Sequence, residues 1–387
     1  MPSKLNKKLV RITTVPISLE KLLENQLRFM SQYYDVTAIS SDKERLEYIG
    51  KQQKVSVYAV EMTRKITPLQ DLKSVWKLYN YFRKEKPFIV HTHTPKAGTV
   101  GMIAAKLAGV PNRLHTIAGL PLMEATGMKR KLLDLVEKIT YGAATHIYPN
   151  SSGLKEIIIQ ENYCKPQKLT VIGNGSSNGI NTNYFDTDHF SSEIKEDLKL
   201  KLGICPKDFV FIFVGRLVGD KGINELVKSF TQLNLERIKL LLVGSQESDL
   251  DPLQAETMQH INSNPNIIAV GHQNDVRPYF AISDALVFPS YREGFPNVVM
   301  QAGAMGLPCI VSNINGCNEI IKDKENGLII PTKNAEVITN AMRILFEDAG
   351  LYVELKKKAR SMITERYEQE VVWKALLAEY QKLEQYV

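Results

Sequence analysis

FVFIFVGRLVGDKGINELV, residues 209–227, reads as a strand, a tight turn and the start of a helix. The six residues Phe209–Val214 are all aromatic or β-branched, and the run is too short for a buried helix. Such a run suits a parallel strand covered on both faces. Gly215 ends it, Arg216 and Lys221 follow, and a helix begins near Gly222. Two cations at the carboxyl end of a strand, beside a helix N-terminus, suit a diphosphate: a guanidinium grips oxygens bidentately and an ammonium adds a point charge. On this pattern alone, two solvated loop cations remain the commoner meaning.

The same alternation runs outward in both directions. Before this stretch the strand candidates are Leu9–Thr14, Val36–Ile39, Val55–Val60, Phe88–His93, Arg113–Ile117, His146–Pro149 and Leu169–Ile172. Helical patterns at Ser18–Ser31, Pro68–Lys84, Ala97–Ala108, Lys129–Tyr141 and Gly153–Gln160 separate them. After it come strands at Lys239–Val243, Ile267–Val270, Ala285–Pro289, Cys309–Val311 and Leu328–Ile330, with helices between and an almost wholly helical end, Val353–Val387. Apolar strands alternating with helices mean α/β architecture with parallel sheets covered on both faces. The strands suffice for two doubly wound, Rossmann-like domains. The polar stretch 175–205 marks the break. The expected domains are 1–190, 191–364, and a C-terminal helix, 365–387, crossing back to the first.

Composition agrees with two folded domains. The chain has 387 residues, 44% hydrophobic and 24% charged, which excludes a disordered chain or a fibrous repeat. Net charge is 49 − 42 = +7, spread unevenly: residues 1–190 carry 27 − 16 = +11 and residues 191–387 carry 22 − 26 = −4. The four cysteines form no CxxC and no disulfide scaffold, so a reducing compartment is expected. No apolar stretch approaches the roughly 18 residues of a spanning helix. The basic N-terminus, MPSKLNKKLVRITTV, runs into a strand pattern rather than a signal-peptide core. These features predict a cytoplasmic protein.

A second informative stretch is VFPSYREGFPNVVMQAGAMGLPCIVS, residues 287–312. A strand ends in a turn carrying Glu293 and Gly294, and Pro296 falls at the first turn of a helix, where its missing N–H costs nothing. Free backbone N–H groups around Gly294–Val298, from Gly294, Phe295, Asn297 and Val298 on either side of Pro296, and the helix dipole favour an anion there. Gln301, eight residues after Glu293, lies about one and a half turns into the helix. A carboxylate and an amide so placed suit sugar hydroxyls, although a carboxylate at a helix start is often held by the dipole alone.

VGRLVGDKG and REGFPNVVMQAGAMGLPCIVSNINGCNEII resemble the signature segments of family 4 glycosyltransferases, which have the GT-B fold: two Rossmann-like domains facing a central cleft. The resemblance is strongest to bacterial enzymes that build capsular and O-antigen polysaccharides. PNSSGLKEIII, VIGNGSSNGIN, NGLIIP, RITTVPISLEKLL and VHTHTPKAGTVG fit the same family, so the likeness spans about residues 9–331. It implies a retaining, metal-independent transfer of a hexose or N-acetylhexosamine, with no cofactor, from a nucleotide donor, UDP being the expected nucleotide. The implied acceptor is a glycan on a polyprenyl diphosphate.

Carried over by position, Arg216 and Lys221 hold the donor diphosphate and neutralise the leaving group. Glu293 binds donor-sugar hydroxyls. Gly215, Gly294 and Phe295 offer backbone to sugar and phosphate. The ribose-binding Glu of the family is Gln301 here, which turns a charge-assisted hydrogen bond into a neutral one, typically about half as strong. His272, in a turn after a strand, is placed by resemblance near the nucleobase. The family's histidine near the donor sugar falls at Ala118. His115 is three residues earlier and reads as a packing residue inside the strand, while His93 is a second candidate at a strand end. Ser18 reads as a cap of the following helix on the acceptor side. His91 and His93 share a strand face without a third ligand, so no metal site is expected. GNGSSNG, residues 173–179, has GxGxxxG spacing with no helix directly after it, and reads as an interdomain hinge. The DxD strings at Asp186 and Asp249 read as exposed loop acids.

Helix GMKRKLLDLVEKITY sets Lys129, Arg130, Lys131 and Lys138 around Leu132, Leu133, Leu135, Val136 and Ile139. The usual meaning is a core-facing helix with a solvated basic face. The alternative is an interfacial helix resting on anionic lipid at the inner membrane face. The rival functions are a UDP-sugar 2-epimerase of the same fold and a non-catalytic nucleotide-sugar binder. Nucleic acid is not an expected partner.

Overall fold

The computed structural model describes residues 7–63, 65, 67–120, 125–247 and 251–385. Among these described residues, twelve strands form two six-stranded parallel sheets. The strands are β1 (Lys8–Ile12), β2 (Asp35–Ser40), β3 (Ser56–Ala59), β4 (Ile89–His93), β5 (Asn112–Ile117), β6 (His146–Pro149), β7 (Phe209–Val214), β8 (Ile238–Val243), β9 (Ile267–Ala269), β10 (Ala285–Phe288), β11 (Cys309–Ser312) and β12 (Gly327–Ile330). The helices are α1 (Pro16–Leu22), α2 (Gln26–Met30), α3 (Lys43–Gln53), α4 (Pro68–Glu85), α5 (Pro95–Leu107), α6 (Gly127–Ala143), α7 (Ser152–Gln160), α8 (Ser192–Lys201), α9 (Ile223–Leu233), α10 (Ala255–Ser263), α11 (Arg277–Ala281), α12 (Asn297–Ala304), α13 (Cys317–Ile320), α14 (Ala335–Glu347), α15 (Ala349–Tyr367) and α16 (Gln369–Glu384).

The sheet orders are β3-β2-β1-β4-β5-β6 and β12-β11-β10-β7-β8-β9. Read from its other edge, the second repeats the first, and both have the dinucleotide-fold order. In each, the chain winds outward one way, returns, and winds out the other way. The point of reversal lies between β1 and β4 in one sheet and between β7 and β10 in the other. Loops diverge there, which opens a crevice at the strands' carboxyl ends.

The chain divides into Met1–Asn178 with Gln369–Val387, and Gly179–Glu368. The second unit begins at 179 rather than 191 because residues 180–190 pack with it. The Ile180 N–H donates to the Tyr367 carbonyl, and Phe185 joins the core of the β7–β12 sheet. The chain re-enters the first unit after Glu368, whose carboxylate accepts from the Thr182 N–H at 3.0 Å, ending α15. Helix α16 then lies on the first unit: the Trp373 Nε1–H donates to Asn178 Oδ1 at 2.7 Å, and Tyr380 packs edge-on against Tyr34.

Three local expectations differ. Ser18–Ser31 is two helices, because Leu23–Asn25 leave helical geometry, Asn25 with φ 58°. Leu169–Ile172 is no strand: Leu169 makes a single bridge to Ile147 and the chain turns away. Ser18 sits inside α1, where Val15 is the N-cap, so it caps nothing. Among the described residues no helix is long and apolar enough to cross a membrane.

Candidate functional site

The reversal point of the second sheet gathers the residues that the sequence singled out. β7 ends at Val214, and Gly215 (φ 150°) donates its N–H to the Val243 carbonyl. A Cβ on the adjoining Gly244 would lie 1.8 Å from the Gly215 carbonyl oxygen, so only glycine lets the ends of β7 and β8 meet. Gly222, at φ 72° before α9, is similarly forced: its Cβ would lie 2.3 Å from the Pro289 carbonyl oxygen at the end of β10. These contacts bring the loops after β7 and β10 together.

Across that contact the Lys221 Nζ donates to Glu293 Oε1 at 2.5 Å. Both side chains are mostly covered, 15% and 17% exposed, so solvent screens the pair only partly. Ser290 Oγ donates to the same carboxylate oxygen at 3.1 Å. Arg216 stands half-exposed on the β7 loop and reaches Glu247 Oε2 at 3.0 Å with NH1. The two loops are further joined by the Tyr291 N–H to the Asp220 carbonyl and by Arg292 to Asp220 at 2.7 Å. The Tyr291 hydroxyl donates to Glu225 on α9 at 2.7 Å.

A third loop locks the second motif. Asn315 Nδ2 donates to the Glu293 and Gly294 carbonyls at 3.1 and 2.8 Å. Next to it, Gly316 (φ 75°) lies so close that a Cβ would be 2.5 Å from the Gly294 carbonyl oxygen. With those carbonyls fixed, the turn into α12 is set. Pro296 is the N-cap and Asn297 the first helical residue. Phe295 is buried edge-on against Tyr367 at 5.4 Å. Asn297 is exposed, Val298 and Gln301 are half-buried, and Gln301 lies on the second turn of α12. Burial pushes the Cys317 thiol well up, and the nearby Glu293 carboxylate adds to this.

His272 stands exposed in the turn after β9, where the Gly271 carbonyl accepts from Gly244. That bond ties the turn to the strand ends that carry Gly215 and Arg216. Ser290, Asn315 and Gly316 were not expected. The last two lie inside the quoted SNINGCNEII segment, and their signal was the Asn-Gly pair, a turn marker.

In the first unit, His93 ends β4 almost fully buried. Its Nε2 accepts from Arg11 NH2 at 2.8 Å, and its ring lies 4.3 Å from that of His91. Arg11 is wholly buried, also donates from Nε to His93 Nε2 at 3.2 Å and from NH2 to Gln26 Oε1 at 2.5 Å, and leaves NH1 without a partner. Gln26 in turn donates to Asn178. Burial pushes both His91 and His93 well below the usual imidazole range. His115 lies within β5 against Gly98, with Nδ1 2.8 Å from Thr92 Oγ1. Burial pushes its pKa down to about 4. Ala118 is exposed just past the end of β5. The loops after β1 and β4 meet through Thr14 Oγ1 and Thr94 Oγ1 at 2.8 Å, with Thr94 at φ 75°. A β-branched residue in that region is strained. The Arg11 network was invisible in sequence, because an arginine inside a strand pattern reads as an outward residue.

Asp186 pairs with Arg360 at 2.6 Å rather than standing free. Asp249 lies outside the described residues. Among the described residues no group of three or more His, Cys, Asp or Glu could hold a metal ion.

Residues 194–362 match the family described as "Glycosyl transferases group 1", and residues 26–175 the family described as "Glycosyl transferase 4-like domain". The capsular polysaccharide biosynthesis glycosyltransferase CapM of Staphylococcus aureus is 34% identical over 97% of each chain. The UDP-Gal:alpha-D-GlcNAc-diphosphoundecaprenol alpha-1,3-galactosyltransferase of Escherichia coli is 33% identical over 86% of this chain and 85% of its own. Anabaena HepE, solved in complex with UDP, superposes with a TM-score of 0.81 at 18% identity, covering 97% of this chain and 100% of its own.

Proposed function

Because the chain belongs to the group 1 glycosyltransferases and is a glycosyltransferase of surface-polysaccharide synthesis, we propose that it moves a hexose or N-acetylhexosamine from UDP to a polyprenyl-diphosphate-linked glycan, with retention and without metal or cofactor. The second unit, Gly179–Glu368, binds the donor, and the first, Met1–Asn178 with Gln369–Val387, binds the acceptor.

The observation that carries this reading is the Lys221–Glu293 contact, with Arg216 on the same loop after β7, at the reversal point of a nucleotide-type sheet. Each cation faces a carboxylate, Lys221 with Glu293 and Arg216 with Glu247. A diphosphate takes over part of each cation. The guanidinium has donors to spare, since one NH1 bond accounts for Glu247. The Glu293 carboxylate then turns to donor-sugar hydroxyls, while backbone at Gly215, Gly294, Phe295, Asn297 and Val298 meets phosphate and sugar. Gln301 meets ribose and His272 the base.

As the C1–O bond to the diphosphate breaks, charge grows on the leaving phosphate, where Arg216 and Lys221 stabilise it most. The acceptor oxygen forms its bond to C1 on the face being vacated. Its proton passes to the departing phosphate, so UDP leaves protonated and the anomeric configuration is kept. No side chain has to be a nucleophile. The likeness to the galactosyltransferase named for a diphosphoundecaprenol substrate supports the lipid-linked acceptor, and with it a place at the inner membrane face.

The test incubates the protein with a panel of nucleotide sugars, with and without polyprenyl-diphosphate-linked GlcNAc. Acceptor-dependent release of UDP and an α-linked product are expected. A new epimeric nucleotide sugar would replace this reading with an isomerase, and binding without turnover would reduce it to a binder.

A further inference from the structure

We infer that the first unit binds a small monatomic anion of the chloride class, enclosed by the carboxyl ends of β4 and β6, the segment 172–177 and α16. The site is independent of the proposed reaction.

A cavity of about 20 Å³ lies there, with His93, Tyr148, Asn150 and Ser177 in its lining and Val372 and Leu376 on the α16 side. That is room for one water or one ion of similar size, and too little for a sugar or a phosphate. Its lining carries more unused polar atoms than a folded interior normally tolerates. The Tyr148 hydroxyl, Asn150 Oδ1 and the Ser177 hydroxyl are each buried without a hydrogen-bond partner. Tyr148 is 2% and Asn150 6% exposed, so bulk solvent does not serve them. One such atom is costly, and three around a single cavity point to an occupant.

The lining can present donors on every side. Both hydroxyls carry an O–H, and a half-turn of the Asn150 amide exchanges its oxygen for N–H. His93 adds a fourth. Its Nε2 accepts from Arg11 Nε at 3.2 Å and NH2 at 2.8 Å, so the proton of the neutral ring sits on Nδ1. Two bonds from a cation into Nε2 polarise the ring and strengthen Nδ1–H as a donor.

Arg11 selects an anion over a water. It is wholly buried, its side-chain bonds go to the neutral groups of His93 and Gln26, and NH1 has no partner. Among the described residues no carboxylate pairs with it. A buried charge without a counter-ion is strongly unfavourable. A water would satisfy the hydroxyls and leave Arg11 uncompensated. A chloride-sized anion satisfies the hydroxyls and lies one imidazole away from the guanidinium, where low dielectric lets the two charges attract. It also fastens the segment 172–177 to the ends of β4 and β6.

The test follows thermal unfolding of the full chain at fixed ionic strength while sodium chloride replaces sodium gluconate, whose anion is too large for the cavity. The melting temperature should rise with chloride and saturate, as for any ligand of the native state alone. Tyr148→Phe keeps the ring and removes one donor, and Ser177→Ala removes another. Each should raise the half-effect chloride concentration by about fivefold. Arg11→Met should abolish the response, and the two milder variants carry the test if it does not fold. Crystals soaked in bromide should show an anomalous peak within hydrogen-bond distance of the Tyr148 and Ser177 hydroxyls. Equal melting in the two salts overturns the inference. So does a chloride response unchanged in both Tyr148→Phe and Ser177→Ala, which would be binding elsewhere, or an ordered water at the site with no bromide peak. No nucleotide sugar is present in these measurements, so none of the outcomes depends on the transfer reaction.

Discussion

Lys221 and Glu293, 72 residues apart in sequence, meet at 2.5 Å where the loops after β7 and β10 touch. The contact makes each the other's counter-ion. Lys221→Ala removes the charge that faces the leaving diphosphate. Turnover should fall by about 100-fold or more, since one such electrostatic donor is worth about 3 kcal/mol. Some stability should be lost as well, because the largely covered Glu293 carboxylate keeps the Ser290 hydroxyl but loses its counter-ion. Initial rates with a UDP-sugar, beside a melting curve, check this. Near-normal turnover would remove the diphosphate role.

Gln301 offers a gain-of-affinity test. Restoring the family carboxylate in Gln301→Glu should turn a neutral ribose hydrogen bond into a charge-assisted one, a difference of about 1 kcal/mol or roughly fivefold in affinity for UDP. Isothermal titration of UDP into both forms measures it. A weaker complex would place Gln301 away from the ribose.

Gly316 should resist substitution more than its loop position suggests. Its φ of 75° and the 2.5 Å approach to the Gly294 oxygen leave no room for a methyl group. Gly316→Ala should cost about 1–3 kcal/mol of stability. It should also lower kcat/KM more than Asn315→Ala does, because it displaces the turn that carries Glu293. Chemical denaturation and steady-state kinetics on the two variants decide the order.

The buried imidazoles of the first unit set an acid limit. His115 has its pKa pushed from 6.5 to about 4 by burial, and His91 and His93 are pushed down for the same first cause. The unfolded chain therefore binds more protons than the folded one between these values. The stability from a neutral His115 is complete above about pH 6.5 and drains as pH falls towards 4. Melting temperature should drop progressively over that window, and more gently in His115→Gln. A flat profile from pH 7 to 4 would contradict the burial of these rings.

How much of this was readable from the chain differs by element. The run Phe209–Val214 identified its strand because six β-formers in a row admit no amphipathic alternative, and five other strands of that unit followed from the same pattern. Leu169–Ile172 misled, since β-propensity over four residues does not specify a pairing partner. Ser18 misled because Pro16, two residues earlier, already starts the helix. For α6 the period disclosed an apolar stripe, but whether that stripe met core or solvent depended on what packed against α5.

The sequence by itself determined the α/β alternation, the parallel sheets and the two loops that carry Arg216, Lys221, Glu293 and Gln301, because strand and helix periods and glycine positions are local properties. Tertiary structure alone decided that Lys221 faces Glu293, that Asn315 and Gly316 clamp the Glu293 turn, that Arg11 is buried against His93, and that α6 turns its apolar stripe outward. Each of these depends on strand order: β7 neighbours β10 and β1 neighbours β4 only because each sheet reverses its winding there, and no local period records that reversal.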